Sequence, residues 1–567
     1  MVNVKNLFGM AVMATALVAC SSNDDLASNG HEGNQTGEAY ASFRINLPTT
    51  NGTRAAGDPK PGSPSFDAGT AAEYEVKNGT ILIFDANTDK FVTSAELGTM
   101  NPWTDVKTNG VTTSAIATVK LEKVTVGGNY KALVLLNNNV AATKKVKLPT
   151  DAETYAAWSK DASKVDAEKY VSTDGIFMAN APKYESATED PTTLVKINHV
   201  CASPEEAQAK AATVVYVERG LAKVTMENFA TEGYKVADGT YKDATVKIEN
   251  WKLDVTNKST FPVHQTGGLM NAWNKIWNTD RFYDKGNGVF KRVYWGEDPN
   301  YDQNVYSKGT TTKSALEYCK DAFKMITNAQ VDGVAGTPQY CLENTFDLAN
   351  MMQGQTTRVV FKAKFIPKGC TAAETFYKIG NNTAVWKEAD LKQQIHTVAV
   401  TAMGITDADE QAKYVVKLDA TDNNISGEAG QHLIKAENIT YTGEASGSKV
   451  DKRVVNTINE KLGLSADAGI ATYLNGEAYY IARIKHFNEL TPWTAGTDYG
   501  TNDADFLGRY GVLRNNWYSL SVNTVSGLGY PEVPEVKPNV PDDENDQYIN
   551  VEVKILDWAM RKQVIDL

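Results

Sequence analysis

Ile549, Val551, Val553 and Ile555 alternate with Asn550, Glu552 and Lys554, just after a run broken by Pro531, Pro534, Pro538 and Pro541. A period of two puts the four apolar side chains on one face of a strand. Leu556, Trp558 and Met560 then continue on the opposite parity. Proline-rich backbone favours an extended, semi-rigid spacer, so the strand is expected to be held away from the domain before it. A lone strand leaves its amides and carbonyls unpaired and must join a sheet. Its hosts are the open groove of another copy or the edge of its own second domain, and the spacer favours the former.

A strand of the same chemistry lies near the start of the chain, where Ala41, Phe43, Ile45 and Leu47 alternate with Ser42, Arg44 and Asn46. The stretch from Pro48 to Pro64 is polar and loose, with Arg54 its only basic residue before Lys60. Such a loop is a natural protease target, with cleavage expected between Arg54 and Ala55. A cut there releases the first strand and leaves a hydrophobic groove in the first domain. The terminal strand of a neighbouring copy, carrying Ile549, Val551, Val553, Ile555 and Trp558, fits that groove by β-augmentation. Donor and acceptor lie at opposite ends of the molecule, so the contact is heterologous and extends into a filament.

Ahead of the first strand, Lys5 precedes an apolar run from Leu7 to Ala19 that ends in Leu17-Val18-Ala19-Cys20. The run is too short to span a bilayer as a stable helix and reads as an export signal. A cysteine at that place, followed by Ser21-Ser22-Asn23-Asp24-Asp25, is the lipoprotein pattern, in which the Cys20 thiol is acylated and holds the precursor on a membrane. Ser21 to Glu38 is a polar tether.

Between the two ends the pattern is mainly β. Segments 79–84, 115–126, 130–136, 213–217, 221–226 and 245–255, and then 358–367, 397–403, 413–419, 476–484 and 517–525, are rich in β-branched residues and separated by Gly and Asn turns. Helices are expected over 151–170 and 313–331, the second with Leu316, Cys319, Phe323 and Ile326 on one face. At 567 residues, more than one core is needed. The expected plan is a signal over 1–20, a propeptide with the removable strand over 21–54, β-sandwich domains over 55–256 and 257–530, a spacer over 531–548 and a donor strand over 549–567.

The chain carries 57 basic and 69 acidic residues, a net charge of −12, and has no basic block. That argues against nucleic acid or anionic lipid surfaces as partners. HExxH, GxSxG, GxGxxG and GxxxxGK[ST] do not occur, and the six histidines are scattered. Asp422, Asn424, Ser426 and Gly427 begin like a calcium loop, but Leu433 stands where its Glu belongs. Cys201, Cys319, Cys341 and Cys370 form neither a zinc motif nor a dense disulfide framework. No catalytic residue, metal or cofactor is expected. A competing reading is a surface lipoprotein that binds glycans through a Trp-rich insertion over 262–306, with Trp273, Trp277 and Trp295 as a stacking platform; Met270, Trp273 and Trp277 also have the spacing of a packed helix face.

Several short stretches resemble the fimbrillins of Bacteroidetes type V pili, the stalk subunits of short fimbriae above all. They are the tetrad ending at Cys20, Thr53-Arg54-Ala55-Ala56-Gly57-Asp58, Val217-Glu218-Arg219 with Ala222-Lys223-Val224, and Arg358 to Pro367. Leu513-Arg514-Asn515-Asn516-Trp517-Tyr518, the proline spacer and the tail from Val551 to Leu567 complete the set. The resemblance implies two transthyretin-like β-sandwich domains and cleavage after Arg54 by an Arg-specific protease. It further implies polymerisation with identical subunits through the C-terminal strand, accessory anchor and tip proteins, and an outer-membrane precursor that ends in a cell-surface fimbrium.

Overall fold

A computed structural model describes residues 38–47, 70, 73, 75–98, 114–140, 143–161, 163–164, 167–184, 190–266, 268, 293–310, 312–418, 431–444, 450–465, 468–486, 506–542 and 549–557. The described chain is mainly β. Its first sheet runs, in spatial order, Phe91–Glu96, Gly79–Asp85, Tyr130–Leu136, Met178–Asn180, Thr213–Arg219, Ala39–Asn46 and Ser114–Leu121, with the short Val195–Lys196 beside Tyr130–Leu136. One face of these strands buries Phe43, Ile45, Ile81, Ile83, Val134, Val215 and Val217 in a common core. The other face, with Leu82, Phe84, Leu133 and Leu135, packs on Trp158, Tyr170 and Phe177, and reaches Leu342 and Trp517 of the second half.

The second half is a sandwich. Gln339–Cys341, Ala222–Met226, Asn516–Val525 and Ile549–Asp557 form one sheet, and Tyr234–Lys235, Thr245–Asp254, Arg358–Ile366 and Glu477–Arg483 form the other. The two share a core around Val224, Trp251, Phe361, Tyr480 and Tyr518. The chain crosses from the first sheet to the second between Arg219 and Ala222. The expected boundary at 256 is therefore too late, because Ala222–Met226 and Thr245–Asp254 already build the second core. Gly220 makes the crossing possible: a Cβ there would lie 2.7 Å from the Phe177 ring.

Most expected strands are present within a few residues of their predicted limits. The exceptions are instructive. Residues 397–403, read as a strand, are the end of helix Glu388–Ala402, which buries Leu391, Ile395, Ala399 and Val400 at helical spacing. Its threonines take helical bonds, Thr397 Oγ1–H donating to the Gln393 carbonyl at 2.8 Å and Thr401 Oγ1–H to that of Thr397 at 2.7 Å. This helix, helix Lys452–Lys461 and the strands between them form a separate α/β lobe inserted between the strands that end at Ile366 and begin at Glu477. The helix expected over 151–170 is two short turns, Tyr155–Ser159 and Ala167–Tyr170, flanking strand Ser163–Lys164. That expected over 313–331 stops at Ala322, capped at Ser314 by a reciprocal bond with Glu317.

Candidate assembly site: the slot of the first strand and the terminal strand

Strand Ala39–Asn46 lies between two neighbours. It runs antiparallel to Ser114–Leu121 over eight positions, from Ala39↔Leu121 to Asn46↔Ser114. On its other side it runs parallel to Thr213–Arg219 over four, from Phe43↔Thr213 to Asn46↔Tyr216. Ala41, Phe43 and Ile45 are inaccessible and Leu47 nearly so; of the alternating polar residues Arg44 is exposed, but Ser42 and Asn46 are buried too, because the strand lies inside the sheet. Buried phenyl and branched aliphatic groups contribute roughly 1.5–3 kcal/mol each. Ser42 and Thr118 hydroxyls meet at 2.8 Å, and Tyr40 exchanges backbone bonds with Cys201 at 2.9 and 2.8 Å. At the strand's start, Glu38 pairs with Lys120, and Tyr40 Oη–H donates to the same carboxylate at 2.6 Å. Those two hydrogen bonds hold the Glu38 carboxyl below its usual range.

The terminal strand, Ile549–Asp557, pairs antiparallel with Asn516–Val525 of its own chain, from Val525↔Ile549 to Asn516↔Asp557, with one register shift between Val522 and Thr524. Ile549, Val551, Val553 and Ile555 stand opposite Val525, Val522, Leu520 and Tyr518. The expectation that this strand stands away from its own domain is corrected. The interior position between Ser114–Leu121 and Thr213–Arg219 is filled by Ala39–Asn46, while the edge of Asn516–Val525 pairs with Ile549–Asp557 over nine positions. The spacer does not hold it off either. Arg358 donates to the Pro534 carbonyl at 2.6 Å, the Val533 amide to Asn328 Oδ1 at 2.7 Å and the Gln353 amide to the Val540 carbonyl at 2.9 Å. The proline run is thus a strap laid along the second domain. Cys20, Arg54, Ala55 and Trp558 lie outside the described residues.

Residues 471–564 match the family model described as "Major fimbrial subunit protein type IV, Fimbrillin, C-terminal". That stretch includes Asn516–Val525, the strap and the terminal strand. The C-terminal region of this chain is similar to that of the fimbrillins. The description of that family is of a fimbrial subunit. Among solved structures, the chain is similar to a Parabacteroides distasonis protein assigned to cell adhesion, at 10% identity over 93% of this chain and 99% of that one, with a TM-score of 0.38. It is also similar to a fimbrial assembly protein from the same organism, at 13% identity over 58% and 85%, with a TM-score of 0.26. The C-terminally truncated tip fimbrial protein Mfa3 of Porphyromonas gingivalis is matched at 10% identity over 92% and 100%, with a TM-score of 0.27. Among curated proteins, no sequence matches.

Several of the other motifs that carried the sequence resemblance place buried charges where the two cores meet, and Arg358 places one inside the second half. The Glu218 carboxylate lies 2.9 Å from His264 Nδ1. Arg514 donates to Glu343 at 3.0 Å and to Thr260 at 3.2 Å. Arg358 donates to Asp254 at 2.8 Å. Lys223 lies 2.8 Å from Glu73, and the Arg219 amide donates to Asn515 Oδ1 at 3.1 Å. All these charges are buried. Such pairs contribute little net stability but are strongly destabilising when one partner is lost, so they fix how the cores meet. Sequence reasoning passed over them, although Lys223 between Ala222 and Val224 was a visible signal: a charge amid apolar strand residues.

Of the three tryptophans of the glycan reading, only Trp295 lies among the described residues. Trp273 and Trp277 lie outside the described residues, and Trp295 is fully buried, with its ring 5.9 Å from that of His486. A ring with no accessible face cannot stack on a sugar. The four cysteines Cys201, Cys319, Cys341 and Cys370 are free thiols, and no metal-holding group of His, Cys, Asp and Glu occurs among the described residues. Asp422 to Gly427 also lie outside them.

Proposed function

We propose that this chain is a fimbrillin shaft subunit that polymerises by strand exchange once cleavage after Arg54 has removed the first strand. On this reading the precursor is exported as a lipoprotein acylated at Cys20 and held at the outer membrane until an Arg-specific protease exposes Ala55. Two transthyretin-like sandwiches then carry a groove at one end and a donor strand at the other. Identical subunits add in a line, with accessory anchor and tip proteins at the ends, in a surface fimbrium that serves adhesion and biofilm formation.

One observation carries the proposal. Among the described residues the terminal strand has a single neighbour, paired over nine positions, whereas the first strand has two, paired over eight and four. A strand moving from an edge to an interior slot keeps a ladder and gains a second one, with net hydrogen bonds of about 0.5–1.5 kcal/mol apiece. It also exchanges a one-sided position for the pockets left by Phe43, Ile45 and Leu47. The emptied slot is the better host.

The test compares purified chain trimmed after Arg54 with the same trimmed chain ended before Ile549. The first is expected to form ladders and filaments, and the second to stay monomeric. Equal polymerisation by both overturns the mechanism. N-terminal sequencing of surface material is expected to begin at Ala55.

A further inference from the structure

We propose that Glu73 is a positioning residue for strand release, tying the segment downstream of the Arg54 loop to the sheet that holds the terminal strand. The inference rests on the assembly reading above and adds to it a contact that couples the two ends of the chain. Glu73 lies between that loop and strand Gly79–Asp85, outside either sheet, yet its carboxylate is buried in the second half. One oxygen lies 2.8 Å and the other 3.0 Å from Lys223 Nζ, and Tyr340 Oη–H donates to it at 2.5 Å. On its other side the Lys223 ammonium stands 3.7 Å from the centre of the Trp517 ring. One buried cation thus serves a carboxylate from the N-terminal segment and an aromatic face from the sheet.

The register makes this contact directional. Lys223 is the cross-strand partner of Tyr340 on one side and of Trp517 on the other. Trp517 is in turn the partner of Leu556 in the terminal strand. Glu73 therefore holds two members of a register row, Tyr340, Lys223, Trp517 and Leu556, that crosses all four strands. The main chain of Glu73 is held separately: the Arg219 Nε–H donates to its carbonyl at 3.0 Å, and Asn137 donates to the Glu75 carbonyl at 2.8 Å. Loss of the carboxylate charge leaves the segment seated on the first sheet and Lys223 buried without its counter-charge, a state so unfavourable that the ammonium turns towards water. Trp517 then loses the cation over its face, and the edge that carries the terminal strand loosens. In wild type, any displacement of the segment after cleavage at Arg54 has the same effect.

Hydrogen exchange on the uncleaved full chain tests this without any need for polymerisation. In Glu73→Gln, amides of Asn516–Val525 and Ile549–Asp557 are expected to exchange about tenfold faster or more, the order expected when a buried charge loses its partner. Those of Ile81–Phe84 are expected to stay at wild-type rates. Removing both charges, in Glu73→Leu/Lys223→Met, is expected to restore most of the protection. Should Glu73→Gln fail to fold, Tyr340→Phe, which removes one donor to the same carboxylate, is expected to give a smaller change confined to the same amides. Unchanged exchange in those strands, or faster exchange in both sheets alike, overturns the proposal. Filament growth by the trimmed wild-type chain is scored separately: its absence sinks the assembly reading and leaves the coupling measured in the monomer untouched.

Discussion

Phe43→Ala in the uncleaved chain isolates the slot from the protease. Phe43 is inaccessible, and its neighbours Ala41 and Ile45 are buried with it between two strands. Truncating a buried phenyl costs about 3–5 kcal/mol through lost transfer and residual cavity. The cost falls on the seated state of the first strand, since Phe43 is solvated whenever that strand is out. The population with an empty slot should then rise by roughly two to three and a half powers of ten, at 1.4 kcal/mol per power of ten. A fluorescent peptide of residues 549–567 reports the change through anisotropy. Wild-type uncleaved chain is expected to bind it negligibly over hours. Phe43→Ala is expected to bind it measurably without any cut at Arg54, and Arg44→Ala, on the exposed face of the same strand, to behave as wild type. If Phe43→Ala lowers the melting temperature yet takes up no more peptide than wild type, the slot is not the acceptor. Equal uptake by Arg44→Ala would mean that burial of the inner face does not set access.

The junction predicts further outcomes. Arg514→Met takes the guanidinium from the buried Glu343, leaving His264 Nε2 at 3.7 Å, and should lower stability by about 3–5 kcal/mol in denaturant titration, while Arg514→Met/Glu343→Leu should recover most of it. Burial pushes the Asp298 carboxyl up to about 7. A folded value above the unfolded one stabilises at low pH and is lost as pH rises, so between about pH 4 and 7 the wild type should lose, on the order of a few kcal/mol, an increment that Asp298→Asn does not show. Glu73 has the opposite sign: burial alone would raise its carboxyl, but hydrogen bonds from Lys223 and Tyr340 outweigh that and lower it. Its contribution is present above the ordinary carboxylate range and should vanish as pH falls through the depressed value, with exchange of Asn516–Val525 as the readout. Trp295→Ala should lower thermal stability and leave binding on a glycan array unchanged, as expected of a fully buried ring.

The strands were legible because each is a short run with a consistent period or a continuous apolar stretch, signals that survive in a single sequence. Tyr130–Leu136 and Thr213–Arg219 are such cases. Helix Glu388–Ala402 was not, because its last turns hold Val398, Val400 and Thr401, whose local preference for strand is overridden by burial of Leu391 and Ile395 four residues apart. The inserted lobe was missed for the same reason. The site was legible in part. Burial of Ala41, Phe43, Ile45 and Leu47 follows from alternation alone, but no property of residues 549–557 says which sheet edge they meet first.

On the proposed reading, a subunit has to stay inert before assembly. An exposed donor strand would be an open edge and an aggregation hazard, and the spacer's prolines do not prevent it. What closes the edge is the ladder between Asn516–Val525 and Ile549–Asp557, reinforced by the strap that Arg358 and Asn328 hold down. Both ends of the chain are therefore occupied at once, the slot by the first strand and the donor by its own edge. On the proposed assembly reading, exchange needs both to open, so its rate should depend on the stability of the terminal strand's own ladder as well as on the cut. Shortening the strap's hold through Asn328→Ala, away from either strand, is expected to speed filament growth of trimmed chain with no change in the length or stability of the filaments formed. If instead growth is unaffected while exchange of the Val533 amide rises, release of the donor is not the slow step.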